Sequence, residues 1–113
     1  MDYNYYLTLI GEYINTGRSQ ERFCAEIGYP EDAPSEKNFM KAMSIIAAAA
    51  DGDMRRLVEL TGMKLTSFTR KFNIPYRTAQ KWLIDTKDGH TPPPYLPLLI
   101  GYALVSEVWQ DAV

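Results

Sequence analysis

The sequence predicts an all-α fold, a compact bundle of about seven helices, and three observations carry that expectation. Apolar residues recur at three- and four-residue steps along nearly the whole 113-residue chain, with no convincing run of strict alternation. Residues suited to capping or stopping a helix (Ser19, Ser35 and Asp53; Gly17, Gly28 and Gly62) fall at the ends of these periodic runs. Apolar residues make up 46% of the chain and charged residues 23%, so a core can be buried and disorder is not expected.

The elements follow in order. Tyr5, Tyr6, Leu9, Ile10, Tyr13 and Ile14 line one face of a first helix that Gly17 closes. Ser19 caps a short second helix with Phe23, Cys24 and Ile27 on one face, ended by Gly28. The Tyr29–Pro34 stretch contains two prolines and reads as a loop. Ser35 then caps a third helix with Phe39, Met40, Met43, Ile46 and Ala47 on one side, running into the alanines 47–50. The Asp51-Gly52-Asp53 turn breaks it and supplies the cap of a fourth helix, Met54 to Leu60. Leu65, Phe68 and Phe72 mark a two-turn fifth helix, and Asn73-Ile74-Pro75 a very short turn, with Pro75 suited to the start of the next helix. Ala79, Trp82 and Leu83 give the sixth helix its buried side. A polar, proline-rich loop over 85–94 leads to a last helix, Tyr95 to Val108, carried by Leu98, Leu99, Tyr102, Ala103 and Val105.

Charge is distributed unevenly. Residues 1–54 hold nine acids and four Lys or Arg, a balance of −5; residues 55–84 hold seven Lys or Arg and Glu59 alone, +6; residues 85–113 hold four acids and Lys87, −3. These give the overall −2. From Leu60 to Ile84 there is no acid, while Lys64, Arg70, Lys71, Arg77 and Lys81 are present. Such an island can attract phosphate within an acidic chain, because surface fields decay over about 8–10 Å at physiological salt.

Other function classes find little support. A single cysteine, Cys24, allows no internal disulfide and fits a reducing, cytoplasmic setting as a small buried apolar residue. The opening residues lack the basic start and long apolar run of a signal peptide, and no stretch is long enough to span a bilayer, so no membrane partner is expected. His90 stands alone in a loop, and Glu12, Glu21 and Glu26 occupy the wet sides of helices. No metal, cofactor or enzymatic activity is therefore expected.

The segment 62–83 carries the function. Two short helices joined by a three-residue turn, the second basic and polar outside, have the layout of a helix-turn-helix. Asn73 accepts the left-handed backbone that such a turn uses. Tyr76, Arg77, Gln80 and Lys81 lie opposite the buried side and are the candidate base-reading residues, since Arg and Lys suit guanine and Gln suits adenine in the major groove. Lys64, Thr69, Arg70, Lys71 and Thr78 are the candidate phosphate contacts.

The run from Gly62 through Phe68, Asn73, Pro75-Tyr76-Arg77 and Gln80 to Trp82 resembles the helix-turn-helix of lambda-repressor-like (XRE, or Cro/CI) regulators. Thr91-Pro92-Pro93-Pro94-Tyr95 followed by Leu98-Leu99-Ile100 is similar to the helix that closes those domains. The resemblance covers about residues 54–106, and residues 1–50 have no counterpart in it. It departs at Asn73, where glycine is usual, at Thr69, where alanine is usual, and at Leu83, where an acid is common. It implies a usually dimeric α-helical DNA-binding domain, with Tyr76, Arg77 and Lys81 at base-reading positions and Thr78 at a phosphate contact.

The expected organisation is an N-terminal helical extension over 1–50, for packing, dimer or protein-partner contact, and a DNA-binding domain over 51–113. The expected partners are double-stranded DNA and a second copy of the chain, through faces on the first helix (Tyr5, Tyr6, Leu9, Tyr13) and the last (Tyr102, Val105, Trp109). The expected function is sequence-specific binding as a small transcriptional regulator: a phage or mobile-element repressor, an antitoxin or an autoregulator. The alternative is a protein-binding or inhibitory module that reuses the same helices.

Overall fold

A computed structural model describes residues 1–31, 33–83 and 92–110. They form seven helices and no strand: α1 Tyr3–Asn15, α2 Gln20–Ile27, α3 Glu36–Asp51, α4 Met54–Thr61, α5 Leu65–Lys71, α6 Tyr76–Leu83 and α7 Tyr95–Gln110. Most of the loop expected over 85–94, with His90, lies outside the described residues.

The caps explain the helix boundaries. The Ser19 and Ser35 hydroxyls each accept from the backbone N–H three residues on, at 3.3 Å, and Asp53 Oδ1 accepts from the Arg56 N–H at 3.1 Å. Asp2, not foreseen as a cap, accepts from the Asn4 N–H at 2.8 Å and starts α1. Pro97 falls in the first turn of α7, where a missing N–H leaves no intrahelical bond unmade.

Helix α3 is the centre of the molecule and packs on α1, α2, α4 and α7, most extensively on α7. Ala42, Met43, Ile45, Ile46, Ala48 and Ala49 are all buried, so α3 is surrounded by other helices for most of its length. Each fully buried Ile, Leu or Met here contributes roughly 1.5–3 kcal/mol of transfer free energy. The small side chains let α7 approach closely: a Cβ at Gly101 would lie 2.6 Å from the Ala49 Cβ and 2.6 Å from the Tyr6 hydroxyl. That hydroxyl donates to the Leu98 carbonyl at 2.7 Å, tying α1 to α7 across the top of α3.

Two expectations are corrected by this packing. A single core joins Tyr6, Leu9, Phe23 and Met43 to Leu57, Phe68 and Val105, so residues from both sides of position 50 pack together. The central place of α3 is the reason: α7 has no other large surface to bury against. Tyr6, Leu9, Tyr13 and Val105 are buried in that core and cannot form a dimer face. Met40 and Leu99, expected on buried stripes, are exposed, because α3 and α7 turn other residues toward each other.

The acidic half is held by a compact polar cluster. Asp51 accepts from the Arg18 guanidinium at 2.7 Å and from the Tyr13 hydroxyl at 2.9 Å, at the junction of the α1 and α3 C-termini. Burial, then the hydrogen bond and charge of Asp51, push the Tyr13 hydroxyl up to about 12. Burial likewise pushes the Tyr6 hydroxyl well above the ordinary tyrosine range.

Candidate nucleic-acid interface

Helices α5 and α6 are joined by a turn whose backbone bonds explain its shortness. The Asn73 N–H donates to the Arg70 carbonyl at 3.3 Å and the Ile74 N–H to the Thr69 carbonyl at 2.9 Å. Asn73 has φ 54°, in the left-handed region. These two bonds, around a left-handed residue, form the Schellman termination of a helix, with asparagine in the position glycine most often takes. The chain reverses at once, and the Pro75 carbonyl accepts from the Ala79 N–H at 3.1 Å to start α6.

Ala79 of α6 is buried and Trp82 and Leu83 are half-buried, and the helix rests on α4 and α5. Arg77 and Lys81, one turn apart, lead the opposite, solvent-facing side. Tyr76 flanks them exposed, Gln80 is half-buried beside them, and Thr78 is exposed on the other flank. All four candidate base-reading residues thus share the outer side of one helix, with Gln80 the least accessible.

The candidate phosphate contacts divide. Lys64, just ahead of α5, and Arg70 and Thr78 are exposed. Thr69 is corrected: only 5% exposed, it donates its hydroxyl to the Thr66 carbonyl at 3.0 Å and presents nothing to a phosphate. The reason is the narrow buried stripe of α5, which places Thr69 beside Phe68 on the inner side. Lys71 is ion-paired with Glu107 of α7 at 2.6 Å, so its charge is partly countered. This pairing was invisible in the local sequence, since the two residues are far apart along the chain.

Sequence reasoning also missed Arg55. Its guanidinium donates to the Leu83 carbonyl at the C-terminus of α6, so α4 holds the far end of the helix whose outer face is basic. The only signal for it was the charge balance of residues 55–84. Among the described residues, no group of three His, Cys, Asp or Glu side chains is placed to hold a metal ion, and no helix is long and apolar enough to cross a membrane. No protein-family model, no curated protein and no solved structure matches the chain.

Proposed function

We propose that this chain binds double-stranded DNA sequence-specifically, as a small cytoplasmic transcriptional regulator. The observation that carries the proposal is the outer face of α6, where Arg77 and Lys81 stand exposed opposite buried Ala79, in a stretch without any acid from residue 60 to 84. A single amphipathic helix with long cationic side chains on its free side fits the major groove, which admits one α-helix and offers guanine acceptors to such donors. Tyr76 and Gln80 would read neighbouring positions, and Lys64, Arg70 and Thr78 would contact phosphates, which fix register without reading sequence.

Selection from a random duplex library, followed by titration at two salt concentrations, tests this. Recovery of a defined motif is the expected result. Arg77→Ala then costs roughly 1–3 kcal/mol and relaxes preference at one base pair, whereas Arg70→Ala weakens all sequences alike and lowers the salt slope by about one. No enrichment of any motif, with Arg77→Ala and Lys81→Ala both silent in folded protein, refutes the proposal and leaves the same helices as a protein-binding surface.

A further inference from the structure

The end of α2 and the first turns of α3 enclose a cleft of about 660 Å³. That lies within the range of roughly 300–1,000 Å³ usual for small-molecule sites. Phe39 contributes a buried ring to its lining, and Tyr29 and Met40 contribute side chains that are 55% and 43% exposed. The Tyr29 ring is anchored: its hydroxyl donates to the Pro34 carbonyl, and it meets the Phe39 ring at 66° with centroids 5.2 Å apart. Two aromatic rings set at an angle are thus ordered in the lining before anything binds, which lowers the entropy lost on binding.

We propose that this cleft binds a small organic cation, an amine or quaternary ammonium carried on an apolar body. Three features select positive charge. Aromatic ring faces attract cations. Among the described lining residues Glu36 is the one carboxylate, it is exposed, and neither ion pair formed among the described residues involves it. Helix α2 ends against the cleft at Gly28 with no basic residue in its last turn, so none of its own side chains counters the partial negative charge of its carbonyl end. No Lys, Arg or His is among the described residues that line the cleft. Lys37 and Lys41 each follow a lining residue by one position and so sit about 100° further round α3. Lys41 lines a separate, smaller cavity toward α4 and α7. Burial raises the thiol of Cys24, so this lining residue stays neutral at ordinary pH and gives the cation an apolar neighbour. Helix α6 makes its contacts with α4 and α5, away from the cleft, so the inference does not depend on what α6 binds.

The probes are 2-phenylethylamine, 2-phenylethanol and phenylacetate, which share one apolar body and differ in charge. Each is titrated into the full chain and followed by amide NMR, with the rate of Cys24 alkylation by iodoacetamide as a second readout. The amine should shift the amides of Cys24 to Tyr29 and of Glu36 to Met40, saturably, and should slow the alkylation of Cys24. The alcohol should bind about tenfold more weakly, and phenylacetate should not bind. Glu36→Gln should weaken the amine about threefold and leave the alcohol unchanged. Glu12→Gln, at an exposed acid on α1, should change neither. Ala25→Phe, at an exposed position of the lining, should block the amine while the helical circular dichroism stays as in the wild type. Equal affinity for amine and alcohol overturns the proposal. So does a Glu36→Gln protein that holds the amine as tightly as the wild type, or an amine that at tens of millimolar produces no saturable shift in the cleft.

Discussion

Gly101→Ala sets two effects of opposite sign against each other, and the structure decides between them. In an exposed helix interior the change is favourable by roughly 1 kcal/mol, because alanine restricts the unfolded chain and glycine does not. At Gly101, however, the new methyl would sit 2.6 Å from the Ala49 Cβ and 2.6 Å from the Tyr6 hydroxyl. Ala49 is on the packed centre of α3 and has no rotamer to yield, so α7 must move or Tyr6 must turn away. Overpacking of this kind costs about 1–3 kcal/mol, and displacing the Tyr6 hydroxyl from the Leu98 carbonyl costs about 1 kcal/mol more. The net expectation is a loss of about 1–3 kcal/mol. At about 4 °C per kcal/mol for a chain of this length, that is a Tm lower by about 4–12 °C. Thermal and urea denaturation followed by circular dichroism measure it. Adding Tyr6→Phe, which removes one of the two clashing atoms, should make the pair less destabilising than the sum of the singles. A Gly101→Ala protein that melts at or above the wild-type temperature would refute the close α3–α7 crossing.

Further perturbations probe other parts of the molecule. Asn73→Ala should cost about 1–2 kcal/mol, since a plain Cβ is disfavoured at φ 54°, while Asn73→Gly should be neutral or stabilising; equal urea midpoints for all three would contradict the left-handed turn. The Tyr13 hydroxyl, near 10 when unfolded and about 12 when folded, lends stability that is complete below pH about 10 and lost as the pH rises toward about 12. Urea midpoints across that range should fall less steeply in Tyr13→Phe than in the wild type. Glu107→Gln frees Lys71 and should change stability by less than about 1 kcal/mol while steepening the salt dependence of the proposed DNA binding by about one unit, and an unchanged slope would leave Lys71 outside that contact.

The local grammar of the helices was legible in the sequence because each signal acts over a few residues. Ser19, Ser35 and Asp53 cap what they were expected to cap, and Asn73 takes the left-handed turn between α5 and α6. What was not legible depends on which helix faces which. Met40 and Leu99 fit an apolar stripe in one dimension yet are exposed, because α3 buries most of its circumference and α7 buries Pro97, Ile100, Leu104 and Val105 instead. Thr69 looked like a polar surface residue until the narrow inner stripe of α5 claimed it. The Lys71–Glu107 pair and the Arg55 contact to Leu83 join residues too far apart in sequence for any spacing rule to find. In the candidate interface, the outer positions of α6 were readable because one face of a short helix is fixed by its buried side alone.

That last property has a bearing on how such a protein can change. Helix α6 gives the interior one fully buried alanine and the half-buried Gln80, Trp82 and Leu83, and its exposed side chains, Tyr76, Arg77, Thr78 and Lys81, stand clear of the core that α3 and α7 share. Exchanging residues 76, 77 and 81 should therefore change the folding free energy little, since surface substitutions of this kind usually shift stability by about 0.5 kcal/mol or less. The exposed residues of the proposed reading face are thus largely separate from those that hold the fold. If α6 reads DNA as proposed, a lineage carrying this scaffold can wander through many preferences at its outer helix without passing through unfolded intermediates, and a laboratory library randomised at residues 76, 77 and 81 should consist mostly of folded proteins.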